Sequence, residues 1–406
     1  MNLFLRSAIL LVLVSLYSFA QDFNLTGAGA RAEGFGGAFI GLADDATAVV
    51  WNPAGLTQLE RAEASIVTRF INEKVGFNYS DNSISTNSEE SQGHFSLNFG
   101  SFASPISSGN NKIVVALAFQ RQLDFYLNKT DDYDTYTYKQ ESKGGANTIT
   151  PGIAFTFGDL ISAGASVNIW TGTWNLKQTI SNAGSAVSDN SLDVNFSGLN
   201  FVIGGLLDFE RKQNRFPLKL GLTMRTPFTL KGEVSNGGGT LELRMPFMIG
   251  FGSSYRVGDN LTFALDYEMR SYADKKISVN GTDISNISES NKSLNEFRVG
   301  AEYLVVLDKA VIPLRIGYKT VPTILADEIL NFDNTNGFYT TPTTNQVTGS
   351  GISFGSGYII DAFAFDVTYS QTKYTQNLNT DIISSGSKAS TEYTIGTLST
   401  SIIFYF

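Results

Sequence analysis

Three groups of residues in this chain of 406 could do chemistry. His94, the single histidine, is followed by Phe95, Ser96, Leu97 and Asn98. On a strand, residues two apart share a face. The imidazole could then take a proton from the Ser96 hydroxyl while Asn98 orients it, an arrangement suited to nucleophilic attack on an ester. Phe95, Leu97 and Phe99 form the opposite, apolar set, which turns His94 and Ser96 toward an interior where an ester is hard to reach. A histidine at a strand rim is the plainer reading, and we assign no catalytic residue. The second group is cationic: Arg225, Arg270, Arg298, Arg315 and Lys319 fall on polar faces of alternating segments. Arg225, Arg298, Arg315 and Lys319 are candidates to hold a ligand carboxylate, although Asp266, Glu268 and Glu302 share those faces and ordinary ion pairing is favoured. The third is Gly27, Gly29 and Gly34, whose spacing is not a dinucleotide fingerprint and which no strand precedes. Asp131, Asp132 and Asp134, interleaved with Tyr126, Tyr133, Tyr136 and Tyr138, read as a solvated outer loop.

What must position these residues is a chain of unusual balance. Charged residues are 17% and hydrophobic residues 42%, with 39 Gly, 30 Phe and 17 Tyr. A bundle of membrane helices would be more apolar, and a disordered chain would lack the aromatics. Cysteine is absent, which removes disulfides, thiolate metal sites and cysteine nucleophiles together. One histidine provides no histidine-rich metal site, so no metal and no cofactor are expected. A net charge of −9 offers no basic face to neutralise phosphates, so nucleic acid is not an expected partner. Met1 to Ala20 reads as an export signal, with Arg6, an apolar Ala8–Tyr17 run and Ser18-Phe19-Ala20 before the cut. No later run is long and apolar enough for a membrane helix.

From about residue 62 onward one theme repeats: about ten residues of strict alternation, then a polar break. Leu261, Phe263, Leu265, Tyr267 and Met269 make one wall of a strand, and Thr262, Asp266, Glu268 and Arg270 make the other. Strands are predicted near 62–71, 93–103, 112–121, 147–157, 160–170, 197–209, 217–227, 242–255, 260–271, 294–307, 311–320, 350–360, 361–371 and 392–406. The breaks after even-numbered strands are mostly tight. The others, 72–92, 122–146, 171–196, 272–293 and 321–349, are predicted to be long polar loops. An even strand count with short turns on one rim and long connections on the other describes an outer-membrane barrel. The fold class expected is therefore all-β: a transmembrane antiparallel β-barrel of about 14 strands, spanning 61–406. Trp170 and Trp174 are expected in its interfacial aromatic girdle. The chain ends on Ile402, Phe404 and Phe406 along one face, and a terminal aromatic suits recognition by barrel-assembly machinery.

Residues 21–60 break the theme. They are rich in Gly and Ala, with too many glycines for a long helix. Asp44 or Asp45 could cap a turn across Ala46–Val50, which Asn52-Pro53 should end. A small-residue segment before a barrel, too apolar to float free, is expected to fold inside the lumen as a plug. Residues 29–56 contain Ala43-Asp44-Asp45 and Trp51-Asn52-Pro53-Ala54 in order after the export signal, and here the chain resembles FadL/TodX-type outer-membrane transporters. The similarity continues through Met245-Pro246-Phe247, Leu261–Arg270 and Phe297–Tyr318.

That resemblance implies a barrel closed by an amino-terminal hatch, with passive passage of long-chain fatty acids or aromatic hydrocarbons and sideways release through an opening in the wall. Phe35, Phe39, Asp44, Asp45, Asn52, Pro53 and Ala54 would then be hatch or gating residues. The implied setting is a monomer in the bacterial outer membrane. Its expected partners are a hydrophobic ligand, outer-membrane lipids and assembly machinery reading Phe406. PorV-type secretion accessory proteins resemble the same stretch through Ala30-Arg31-Ala32 and Trp51-Asn52-Pro53-Ala54, leaving a scaffold role as the alternative. One departure stands out: the family's wall opening accompanies a kink in the third strand, and Lys112–Gln120 has neither of the usual markers, Gly and Pro.

Overall fold

In the computed structural model the residues described are 27–81, 84–107, 111–182, 185–211, 216–235, 238–271, 277–283, 293–333, 337–383 and 386–406. The expected export signal lies outside them. Two short helices, α1 (Ala30–Gly34) and α2 (Ala48–Trp51), and a 3-10 turn (Pro53–Gln58) precede the strands. In chain order these are β1 (Glu63–Ser80), β2 (Ser85–Ser107), β3 (Ile113–Asp124), β4 (Leu127–Asp132) and β5 (Thr137–Phe157). Next come β6 (Ile161–Thr171), β7 (Thr173–Asn182), β8 (Ser185–Asp208), β9 (Leu218–Arg225) and β10 (Phe228–Val234). Then follow β11 (Thr240–Met245), β12 (Phe247–Val257), β13 (Leu261–Ser271), β14 (Ile277–Val279) and β15 (Thr282–Asp283). The last are β16 (Leu294–Val306), β17 (Val311–Asp333), β18 (Gly337–Ile359), β19 (Phe363–Asn379) and β20 (Lys388–Tyr405).

Fourteen of these strands pair antiparallel around a closed ring, and β20 returns to β1 from Glu63 with Tyr405 to Ser80 with Lys388. Closure leaves no edge, which a strand in lipid requires. The six remaining strands, β4, β7, β10, β11, β14 and β15, join extensions of β5 and β8 in a second set of ladders beyond the ring.

Four of the five predicted long loops are therefore largely strand, and most of the fifth, 272–293, lies outside the described residues. Residues 72–92 belong mostly to β1 and β2, and 321–349 mostly to β17 and β18. In 72–92 and at the outer tips of β17 and β18 most Ser, Thr and Asn are exposed or half-exposed whichever face they take, so the alternation that betrays a half-buried strand is missing there. In β8 the reversal is visible along one strand. Even-numbered residues face in throughout, as Leu192, Val194 and Phe196, then Asn200 and Gly204; the outward partners change from Ser191, Asn195 and Ser197 to Leu199, Phe201 and Ile203. Membrane level and outer extension thus have opposite polarity. The extension has its own apolar core around Phe125, Trp170, Trp174, Phe196, Leu230 and Leu243. This corrects the girdle assignment: Trp170 and Trp174 are 2% and 1% exposed, facing inward with Nε1 donating to Asn200 Oδ1 and Ser142 Oγ.

The amino-terminal segment from Gly27 packs inside the ring. α1 lies on β17 to β20, α2 on β3, β5 and β6, and the 3-10 turn on β5, β6 and β8. Elsewhere the wall comes close enough that a side chain on it would collide. A Cβ at Gly317 would stand 2.0 Å from Gly36 N, and one at Gly252 2.4 Å from Gly41 N. Glycine inside a strand marks such a backbone approach.

Candidate functional site

The segment is tied to the wall by backbone groups that its short elements leave unsatisfied. Asp266 Oδ2 on β13 accepts from the Phe39 and Ile40 amides at 2.7 and 2.8 Å. Thr368 Oγ1 donates to Ala30 O at 2.7 Å, Ser166 Oγ to Val49 O at 2.9 Å and Ser254 Oγ to Gly41 O at 3.0 Å. Asn52 is fully buried in extended backbone; its Nδ2 donates to Ile40 O at 2.9 Å and to Gly205 O at 3.1 Å, while Oδ1 accepts from Ala54 N. Pro53 follows as the first residue of the 3-10 turn, where its missing N–H costs nothing. At the far end Thr57 Oγ1 and Arg211 Nη1 both reach Ser162 Oγ, and Lys219 Nζ donates to Gln58 Oε1. Phe35 and Phe39 are fully buried, with Phe39 edge-on to Trp51 at 6.1 Å between centroids.

The predicted cap across Ala46–Val50 is shifted: the helix runs Ala48–Trp51, and Asp45 Oδ1 accepts from both Thr47 N and Thr47 Oγ1. Burial pushes the Asp45 carboxyl up to about 6; Arg31 opposes the rise, Asp44 adds to it and the Thr47 bonds hold it down. Asp44 pairs with Arg31, which also reaches Glu302 on β16.

The lumenal charges are matched to one another. Arg298 bonds Glu296 and Glu268, and Arg270 shares both carboxylates. Arg315 bonds Glu302 and Asp366. Two of the four predicted carboxylate-binding cations are thus held by protein carboxylates. Arg225 differs: Nη2 reaches only Val50 O at 3.3 Å, and buried Nη1 has no hydrogen-bond partner. It borders a small cavity of about 20 Å³ with Trp51 and Glu268. Lys319 lines a larger cavity of about 130 Å³ on the other side of Trp51, together with Arg69, Val321 and Tyr374. Trp51 borders both spaces and stacks under the Arg298 guanidinium at 5.6 Å.

Beside this segment the wall is irregular at β2 and β3. β2 carries a bulge at Asn98, opposite the Val67–Thr68 step of β1, and β3 carries one at Gln122. Between them β2 and β3 pair from Ser107 with Ile113 up to Phe99 with Gln120, and no backbone pair joins them beyond. The Asn98 bulge also turns Phe99 inward, where it is fully buried, whereas Phe95 and Leu97 stay 82% and 47% exposed. The expected lipid face of Phe95, Leu97 and Phe99 is therefore corrected at Phe99. A bulge needs neither Gly nor Pro, and the one at Gln122 falls just past the residues where a kink was sought. His94 and Ser96 do not meet as base and nucleophile: Ser96 Oγ donates to Asp124 Oδ2 at 2.6 Å, and His94 Nε2 lies 3.5 Å from the same oxygen.

Sequence reasoning placed Asp266 on a lumenal face and named Arg31, but it missed their part in holding the segment, and it missed Asp124 and the wall glycines. Lone glycines within alternating strands, such as Gly252 and Gly317, were the available signal for a close backbone neighbour.

No curated protein matches this sequence. The fold is similar to the crystal structure of a Pseudomonas aeruginosa FadL homologue, with 13% identity over 94% of this chain and 98% of that one and a TM-score of 0.59. It is similar to the P. putida toluene transporter TodX, with 12% identity, 94% and 99% coverage and a TM-score of 0.62. The Ralstonia pickettii toluene transporter TbuX gives 14% identity, 95% and 100% coverage and a TM-score of 0.54. The profile of the family described as outer membrane protein transport protein (OMPP1/FadL/TodX) matches residues 11–328. The chain belongs to this family of transport proteins of the bacterial outer membrane.

Proposed function

We propose that the protein carries small hydrophobic molecules, a long-chain fatty acid or an aromatic hydrocarbon, from outside into the outer membrane. The amino-terminal segment acts as the hatch, and the ligand leaves sideways between β2 and β3. The observation that carries this reading is the pairing of a filled lumen with an interrupted wall. The hatch is bonded to strands all round the ring, and its 3-10 turn is fastened at the inner rim by Ser162, Arg211 and Lys219. Beside the hatch, the ladder of β2 with β3 breaks off without a connecting turn above Phe99, where both strands run on. An apolar molecule gains about 25 cal/mol per Å² on leaving water, so release into lipid is downhill whereas release into the periplasm is not.

In this reading Trp51 is the hatch's apolar wall of the 130 Å³ cavity, Phe39 packs behind it with Phe35, and Asn52, Pro53 and Ala54 form the hinge. Asp44 and Asp45 hold the hatch in register with Arg31 and Thr47. Arg225, whose Nη1 lacks a partner, is the cation best placed to take a ligand carboxylate. The testing experiment is uptake of a labelled alkylbenzene and a labelled long-chain fatty acid by cells with and without the protein. Faster uptake of either is expected, and Arg225→Met should slow the acid but not the hydrocarbon. Equal uptake of both probes with and without the protein overturns the transport reading.

A further inference from the structure

Beyond Phe99 and Gln120 the junction of β2 and β3 continues as a row of side-chain contacts. Ser96 Oγ donates to Asp124 Oδ2 at 2.6 Å, and His94 Nε2 stands 3.5 Å from that oxygen. The His94 and Tyr126 rings stack with centroids 4.3 Å apart. Further out the Asn128 amide donates to Gln92 Oε1 at 3.0 Å, and Lys129 Nζ lies 3.5 Å from Glu90 Oε1. Numbers fall along β2 as they rise along β3 and β4, so the antiparallel order of the ladder is kept while its backbone bonds are replaced. Asp124 is where the contacts converge, because Arg121 Nη1 also reaches it, at 3.5 Å. The two bulges stand at the foot of this seam, and buried Asn98 Oδ1 there has no hydrogen-bond partner.

We propose that Asp124 is the latch of this seam, a positioning residue that holds β2 against β3 through Ser96 and His94 and whose contacts must break for the wall to part. The proposal rests on the reading of sideways release given above. The physical reason lies in what parting requires. Opening a ladder exposes a row of backbone donors and acceptors that lipid cannot satisfy. Opening this seam breaks the two contacts to Asp124, the His94–Tyr126 stack and the outer Gln92–Asn128 and Glu90–Lys129 contacts, while the backbone pairs of β2 with β1 and of β3 with β5 stay intact. A rotamer change of the Asp124 carboxylate therefore frees the two inner contacts, those to Ser96 and His94, without breaking a backbone pair. Asn98, left without a partner when the seam is shut, could find one when it opens.

The chain's lack of cysteine makes the test clean. Ser96→Cys with Asp124→Cys places two thiols across the seam, to be bridged by a short, reducible bis-methanethiosulfonate reagent. Uptake of labelled alkylbenzene should fall to the level of cells lacking the protein when bridged and recover on reduction. Asp124→Ala and, from the other strand, Ser96→Ala should each raise uptake several-fold. Asp124→Asn, which keeps an acceptor for Ser96, should fall between Asp124→Ala and the parent. Hydrogen exchange of residues 120–126 in detergent should be at least tenfold faster in Asp124→Ala, with the β1–β20 ladder unchanged as the check on folding. Unchanged exchange in both Asp124→Ala and Ser96→Ala overturns the latch whether or not the protein transports. Uptake that is unaffected by the bridge overturns sideways release, and a bridge that blocks uptake while Asp124→Ala and Ser96→Ala run at the parent rate overturns the latch alone.

Discussion

Replacing Gly317 by alanine should release the amino-terminal segment while leaving the barrel closed. Gly317 lies on β17 opposite Gly300 of β16, and both face Phe35 and Gly36 of the segment. A Cβ at position 317 would stand 2.0 Å from Gly36 N and 2.4 Å from the Phe35 carbonyl carbon. Ordinary contact begins at 3.4 Å, so the segment must retreat by more than an ångström, and the neighbours are backbone that has no rotamer to yield. Forcing one carbon into a packed interior costs about 1–3 kcal/mol, and with rigid backbone in the way the upper end applies. About 3 kcal/mol is roughly a hundredfold in the equilibrium for local opening. The Phe39 and Ile40 amides, held by Asp266 a few residues on, should then lose protection. The assay is hydrogen exchange of peptides covering 30–44, with β19 and β20 peptides as the folding control. Gly205→Ala is the matched comparison, since a Cβ there meets nothing within 4 Å. If the two variants exchange alike over 30–44, contact with the wall does not hold the segment in place.

Three further outcomes are expected. In a Trp51→Phe background, Trp170 and Trp174 should be almost unquenched by brominated lipids, because their rings face the inner core; strong quenching would return them to the membrane interface. Arg298→Met removes one of the two arginines that bond Glu268 and Glu296, which should destabilise the folded barrel by about 3–5 kcal/mol in a thermal melt, and adding Glu296→Leu should recover part of the loss. The raised Asp45 carboxyl binds its proton more readily in the docked segment than in a loosened one, so its contribution to docking should strengthen as pH falls from about 6 toward the ordinary value of 3.8, by at most about tenfold per pH unit. Exchange over 44–50, corrected for its intrinsic pH dependence, should show this trend in the parent and lose it in Asp45→Asn. An unchanged trend in that variant would place the titration elsewhere.

How much was legible beforehand can be judged strand by strand. In β13 the alternation of Leu261, Phe263, Leu265 and Tyr267 with Thr262, Asp266 and Glu268 follows from the two solvents on either side of a barrel wall, lipid and lumen, and no other element need be known to read it. The upper halves of β1 and β2 and the outer tips of β17 and β18 are exposed on both faces, so nothing in their residue pattern requires alternation and they read as loops. Trp170 and Trp174 sit where the two regimes meet, and only the inverted polarity of the outer extension shows that they face inward. Composition alone could place cations on lumenal faces; it could not say that Arg298 and Arg315 are taken up by carboxylates from neighbouring strands while Arg225 Nη1 has none.

The sequence by itself determined the barrel, its strand count and its membrane setting, because each membrane-level strand carries its own two-solvent pattern in about ten residues. It also marked the segment around Trp51-Asn52-Pro53-Ala54 as different in kind, through its glycine content and lack of alternation. Tertiary structure alone decided which wall residues hold that segment, where β2 and β3 part company and which charges remain unmatched. Those facts depend on residues hundreds of positions apart meeting at ångström range, as Gly36 meets Gly317 and Arg31 meets Glu302, and a local pattern cannot encode such a register.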